Sequence, residues 1–369
     1  MSSPPDPTSA LRKAFVGRPR LTRAVGGSWR GLKRFVEGPR RAELQQWLNE
    51  TESRLPANEW KMLTQLYDDT TPLPADAATR LSHDHPRLRE LRAAYQSLDV
   101  PVTTRSVWAD DFVEQQIDLR YFRGESPFVW NHREWPRAMV LKYFIFTEYV
   151  ARMDHRGLVE RLGEDGGFGC WTFRYPGYPP VSRDLLDSVN EILFLDRCLN
   201  VLEQPGIRVL DVGAGYGRSA HRLCQAADVA DYCCVDAIPE STFLCEYYLE
   251  QRECTPPARA VPLHELEERI MSESFDLAVN IHSFSECTYA AVSWWIEWLD
   301  KLQVPNLLVI PNDRDELLAF EPDGTRRSFA PLLGAAGFEL VTDEPVIADE
   351  AVRELLGVTD HFLLFRRVT

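Results

Sequence analysis

The sequence predicts an α/β protein: a doubly wound, Rossmann-like, seven-stranded sheet fills its C-terminal half, behind a mainly helical N-terminal cap. Three observations carry this reading. From Ser182 onward, short apolar runs at 208–213, 230–236, 258–263, 275–282, 306–311, 338–343 and 361–367 alternate with helical patterns. That alternation builds a parallel sheet with ligands at the carboxyl ends of the strands. The first run passes into Asp211-Val212-Gly213-Ala214-Gly215-Tyr216-Gly217, and the second ends on Asp236. Before Ser182, apolar residues recur at three- and four-residue spacings with prolines between them, as helices do.

Taken in order, residues 1–42 carry ten Lys/Arg against Asp6 and Glu37. This segment reads as a solvated, disordered basic tail. The whole chain has a net charge of −15, so the rest carries about −23. Such an acidic body repels phosphate backbones and argues against nucleic acid as a substrate. Residues 43–181 form the cap and a substrate lid, with helices expected over 42–48, 60–67, 87–98 and 138–153. The stretch 101–160 is rich in aromatic residues, among them Trp108, Phe128, Trp130 and Trp135. A loop over 166–180, loaded with Gly, Pro and aromatic side chains, reads as a lid or pocket wall. Residues 182–369 form the nucleoside-binding domain. It opens with a helix over 183–202, with Ser182 as N-cap and Asp184 in its first turn. The last two strands are joined by a segment too irregular for one crossover helix, which suggests an antiparallel final strand.

Eight cysteines occur without a CxxC pair, as in a protein of the reducing cytoplasm rather than a disulfide scaffold. No apolar run reaches the roughly 18–20 residues that span a bilayer, and the N-terminus lacks a secretory apolar segment. The composition leaves a homo-oligomer open.

The chemistry concentrates in the glycine loop. Alternating glycines permit a tight turn and leave no side chain where a ligand lies, and a carboxylate at the tip of the second strand suits the vicinal hydroxyls of a ribose. A nicotinamide fingerprint requires G-x-G-x-x-G, but Arg218 stands where its third glycine belongs. The spacing Asp211-x-Gly213-x-Gly215-x-Gly217 instead resembles motif I of the class I S-adenosylmethionine (SAM) methyltransferases. The acidic tip of strand two, the seven strands and the N-terminal position of the substrate-type sequence agree with it.

That resemblance implies SAM as cofactor and assigns roles. Asp211 would fix the methionine amino group, and the backbone from Gly213 through Ala214 and Gly215 to Gly217 would pass beneath the methionine and sugar. Asp236 would accept both ribose hydroxyls, while Ala237 and His264 would border the adenine. Three further segments, 181–192, 275–286 and 311–313, resemble the bacterial sugar O-methyltransferases associated with glycosylated natural products and surface polysaccharides. The likeness covers about residues 165–315 well and the N-terminal half loosely. It implies a small-molecule glycoside, nucleotide sugar or polysaccharide precursor as acceptor.

Arg183, which shares a helix face with Asp187 and Glu191, would fork onto the cofactor's carboxylate. Asn280, on strand four, is placed with the cofactor group. His282 falls where the transferred methyl lies in this fold, and its imidazole suits a general base for a weakly acidic hydroxyl. Glu286, one turn on, would orient His282 or act as the base itself. Trp171, Tyr175 and Tyr178 of the lid offer aromatic faces to a sugar ring. Packing is the reading of the Trp294, Trp295 and Trp298 cluster. The favoured mechanism uses no metal; by comparison with catechol-type enzymes, Glu286, Asn312 and Asp313 form an alternative Mg²⁺ set. A phenolic, carboxyl or nitrogen acceptor stays open, as does an inactive SAM-binding protein of the same fold.

Overall fold

The structure, a computed structural model, describes residues 46, 64–65, 73–108, 113, 117–124, 137–175, 177–312 and 316–368. The basic tail, Phe128, Trp130, Trp135 and Asp313 lie outside them. Seven strands form the main sheet: β1 (Ile207–Val212), β2 (Val229–Val235), β3 (Ala258–Val261), β4 (Leu277–Ile281), β5 (Asn306–Ile310), β6 (Phe338–Pro345) and β7 (His361–Arg367). Their spatial order is β3-β2-β1-β4-β5-β7-β6. Strands β1 to β5 pair in parallel, whereas β7 runs antiparallel to both β5 and β6. This is the Rossmann-like core expected from the sequence, reversed last strand included.

The central strands are apolar along nearly their whole length because helices cover both faces. Val209, Leu210 and Val212 of β1 and Cys233, Cys234 and Val235 of β2 are all buried. The edge strand β6 differs, exposing Glu339 between buried Phe338 and exposed Leu340 and Val341. Charge at such an edge discourages pairing with another chain.

Contacts divide the chain into two compact units that do not follow the boundary at 181/182. The sheet unit comprises residues 73–122, 191–346 and 359–369, and the other unit comprises 1–72, 123–190 and 347–358. Five helices matter for the sheet unit: α1 (Pro86–Gln96), α2 (Arg183–Leu199), α3 (Arg218–Ala226), α4 (Pro239–Gln251) and α5 (Tyr289–Lys301). Only residues 191–199 of α2 belong to it.

Helix α1 begins where His85 Nδ1 accepts from the Arg87 N–H and Pro86 occupies the first turn, a position where a missing N–H costs nothing. It packs on α4. Arg87 forks onto Glu246 at 2.7 and 3.1 Å, and Arg92 Nε donates to Glu240 at 2.7 Å. Leu88 and Leu91 are fully buried. The Tyr95 hydroxyl accepts the Leu263 N–H at 2.8 Å just beyond β3 and pairs with Thr242 Oγ1 at 2.8 Å. A segment early in the chain therefore closes the end of β3.

The other unit is built around the helix Arg137–Met153, against which the short helix Glu350–Leu356 packs. Thr64–Gln65 pairs antiparallel with Thr172–Phe173. This corrects the helix expected over 60–67 at these two residues: hydrogen bonding to a partner strand overrides a short helical periodicity. Of the helix expected over 42–48, Gln46 alone is described, and it is helical. Arg123, fully buried, bonds to Glu164, Asp184 and the Gly167 carbonyl. Ser182 Oγ donates to Glu164 at 2.6 Å and caps α2 by accepting the Leu185 N–H at 3.0 Å. Asp184, expected to complement the helix dipole, thus also neutralises a buried guanidinium.

Tyr95→Phe keeps the ring and removes both hydroxyl bonds. It should lower stability by about 1–2 kcal/mol, seen as a lower urea midpoint at unchanged slope.

Candidate active site

The glycine loop leaves β1 at its carboxyl end. A β-carbon on Gly213, at φ +78°, would stand 2.2 Å from Ser283 Oγ. Only glycine fits there, both sterically and conformationally. The N–H groups of Gly213 and Ala214 donate to the Val235 carbonyl at 2.8 and 3.2 Å, tying the loop to the end of β2. At Gly217, φ +88°, a β-carbon would lie 3.0 Å from Cys245 Sγ of α4, so the loop also packs closely on that helix. Between them Tyr216 is buried against Phe122 and Tyr248, with ring centroids 5.0 and 5.1 Å apart.

Asp236 stands opposite this loop. Its Oδ2 accepts the Gly215 N–H at 2.9 Å and its Oδ1 the Ile238 N–H at 2.8 Å. Burial pushes its carboxyl up to about 7; the two N–H bonds and Arg105 oppose the rise, and Glu286 adds to it. Burial likewise pushes Asp211 up to about 7, opposed by the Tyr232 hydroxyl and Arg218 and assisted by Asp236 and Glu191. The Tyr232 hydroxyl donates to Asp211 at 3.1 Å. Arg218 forks onto Glu191 at 2.8 and 2.9 Å. The residue that breaks the nicotinamide pattern thus joins the middle of α2 to the start of α3. Two buried acids lie at the ends of β1 and β2, a setting that a ligand bearing hydroxyl or ammonium donors would relieve.

His282 follows β4 directly. Its backbone is left-handed, φ +67°, and its N–H donates to the Ile310 carbonyl at 2.7 Å. A non-glycine residue in that region costs about 1–2 kcal/mol, and such strain gathers at functional sites. The imidazole Nε2 lies 3.3 Å from Asp360 Oδ2, at the start of β7. Glu286, expected to orient His282, is instead held by the Trp108 indole N–H at 2.7 Å and the Asn312 amide at 3.0 Å. The carboxylate beside the ring is that of Asp360. It was missed because nothing in its local sequence marks it, and the antiparallel return of β7 brings it to the site. Trp108 and Tyr95 carry no local motif either, and only tertiary contact brings them to Glu286 and Leu263.

Glu286 and Asn312 of the alternative metal set are adjacent, with the Asn312 amide spent on Glu286. Among the described residues no group of three or more His, Cys, Asp or Glu is placed to hold a metal. Asn280 is fully buried; its amide donates to the Val212 carbonyl at 2.8 Å and accepts the Phe284 N–H at 3.0 Å. It fastens β1 to the turn after β4 and has no surface for a cofactor, which corrects its expected role. Ala237 is half-buried beside Asp236, and His264 lies beyond β3 with its ring 6.0 Å from that of Tyr95. Trp295 and Trp298 of α5 are buried, and Trp294 meets both edge-on, in keeping with a packing role.

The remaining candidates belong to the other unit. Arg183 pairs with Asp187 at 3.0 Å, whereas Glu191 turns to Arg218. Trp171 and Tyr175 are 2% and 3% exposed, so neither presents a ring face to a sugar. Tyr175 stacks parallel to Phe173 at 6.0 Å and donates to the Val140 carbonyl at 2.6 Å. Tyr178 keeps some exposure and donates to Glu148 at 2.8 Å. All eight cysteines are free thiols, and no helix among the described residues is long and apolar enough to cross a membrane.

Removing the charge of Asp211 should change how stability varies with pH. An acid raised to about 7 from an unfolded value near 3.8 keeps in the folded state a proton that the unfolded chain has released. Its stabilising contribution is full below about pH 4 and disappears as the pH climbs through about 7. Urea denaturation should therefore show a smaller loss of stability between pH 5 and pH 8 for Asp211→Asn than for the unsubstituted protein.

No family model matches the chain, and no curated protein matches it. Solved structures do. The [4+2]-cyclase SpnF is 18% identical, with 50% of this chain and 82% of that one covered and a TM-score of 0.37. Ribosomal protein L11 methylase from Lactobacillus delbrueckii subsp. bulgaricus is 16% identical, covering 50% and 79%, with a TM-score of 0.35. Magnesium protoporphyrin IX methyltransferase from Synechocystis PCC 6803, solved with bound SAM, is 14% identical, covering 62% and 97%, also with a TM-score of 0.35. The fold of this chain stands on its own strand order and directions, and the chemistry of its site on the loop, Asp236 and His282.

Proposed function

We propose that the protein is a SAM-dependent O-methyltransferase acting on a sugar hydroxyl of a glycosylated metabolite, nucleotide sugar or polysaccharide precursor. The observation that supports this most is the Gly215–Asp236 pair at the carboxyl ends of β1 and β2. An ionised carboxylate offers about four lone-pair positions, and Asp236 uses two of them on backbone N–H groups. Two remain for the vicinal hydroxyls of a ribose, and the loop from Gly213 to Gly217 supplies a surface of backbone for the rest of the nucleoside. Asp211, buried behind the loop, suits the methionine ammonium.

The bound cofactor would supply a methyl group already activated on a positively charged sulfur. The protein's work is then alignment and proton removal. His282 projects from the turn after β4, which Asn280 and Ser283 hold against the loop at the end of β1. Transfer to the acceptor oxygen would leave the electron pair of the S–C bond on that sulfur. The hydroxyl proton passes to the imidazole. The sugar assignment rests on the resemblance of segments 181–192, 275–286 and 311–313 to sugar O-methyltransferases.

Calorimetry should show S-adenosylhomocysteine binding that Asp236→Ala weakens roughly 10- to 100-fold, the loss of charge-assisted bonds from two hydroxyls. Absence of binding to the unsubstituted protein contradicts the cofactor. With labelled SAM and a panel of glycosides, nucleotide sugars and phenols, label should enter a glycoside or nucleotide sugar. Label in phenols alone overturns the sugar acceptor. His282→Ala should lower kcat about 10²- to 10⁴-fold and leave S-adenosylhomocysteine affinity unchanged; an active variant places the base elsewhere.

A further inference from the structure

His282 faces a carboxylate that neither the glycine motif nor the turn after β4 supplies. Asp360 precedes β7 by one residue, and its Oδ2 lies 3.3 Å from His282 Nε2. Both partners are held from the backbone. The Asp360 carbonyl accepts the Val346 N–H at 2.9 Å, anchoring it just beyond β6, while His282 is held through its N–H on Ile310 and its carbonyl on the Ser285 N–H at 3.0 Å. The imidazole and the carboxylate are both mostly covered, at 26% and 18% exposed.

We propose that Asp360 is a positioning residue for His282. A carboxylate at 3.3 Å attracts an N–H and repels a ring lone pair, so the nitrogen beside it is the one that carries the proton. With Nε2 protonated, the Nδ1 lone pair is left to receive the proton of the acceptor hydroxyl. The imidazolium formed in that step then sits beside a negative charge in a partly covered site, where the attraction is stronger than in water. The reversed strand β7 thereby acquires a chemical purpose: only an element that returns antiparallel beside β5 brings its first residues to the carboxyl ends of the parallel strands.

This proposal rests on the reading of His282 as the proton acceptor, and the test separates the two. In protein labelled with ¹⁵N-histidine, long-range ¹H–¹⁵N spectra report the tautomer of each ring, and His282→Gln identifies the His282 signals. The unsubstituted protein should show His282 in the Nε2–H form. Asp360→Ala should shift it to a mixture of tautomers while the other histidine signals stay in place, which also confirms folding. This readout requires no turnover and holds whatever the acceptor is. In the transfer assay Asp360→Ala should lower kcat about 10- to 100-fold with KM for SAM unchanged, and Asp360→Glu should recover part of the loss. An Nδ1–H tautomer in the unsubstituted protein, or an Asp360→Ala protein with unaltered His282 signals, overturns the proposal. If tautomer control holds but His282→Ala stays active, the dyad exists and the general-base reading fails instead.

Discussion

The close approach of Gly213 to Ser283 is the constraint on which the rest of the site depends. With 2.2 Å between a would-be β-carbon and the serine hydroxyl, the end of β1 and the turn after β4 can meet only through bare backbone. Asn280 closes the same junction from below, bonding to Val212 on one side and Phe284 on the other. Because these two strands are neighbours in the sheet, the loop that would cradle a nucleoside and the histidine that would receive a proton share one rigid platform. The left-handed backbone of His282 is the local cost of turning a chain sharply at that point, and its hydrogen bond to Ile310 extends the platform to β5.

The electrostatics follow from the same burial. Asp211 and Asp236 are nearly covered, and both are pushed up to about 7 by loss of solvent. The nearby guanidinium of Arg218 is occupied by Glu191 and offsets only part of that cost. A pocket with acids in this condition favours a ligand that brings hydroxyl and cationic donors. It disfavours phosphates, whose negative charge would meet the same carboxylates.

Much of the sheet was legible in the sequence because its signals are local. Each strand is a short apolar run, the β1 loop announces itself by glycines with no room for side chains, and Asp236 ends its strand in plain view. The Ser182 cap was legible for the same reason. What escaped is what tertiary contact decides. Tyr95, Trp108 and Asp360 reach the site from segments far along the chain, and none carries a motif. Asn280 looked like a strand-tip contact, yet both ends of its amide are spent on backbone. Trp171 and Tyr175 looked like a sugar platform because aromatic residues in a Gly/Pro-rich loop fit either a pocket wall or a core, and burial decided for the core. Thr64 and Gln65 carried helical spacing but lie in a strand because a partner strand was available to them.

The most direct measurement is a crystal structure of the protein grown with S-adenosylhomocysteine. It should place both ribose hydroxyls on the free lone pairs of Asp236, the chain of the amino acid along Gly213–Gly217, and the sulfur on the side of the loop that faces His282. A nucleoside bound away from Asp236, or a sulfur turned away from the turn after β4, would contradict the assignment of this loop as a methyl-donor site.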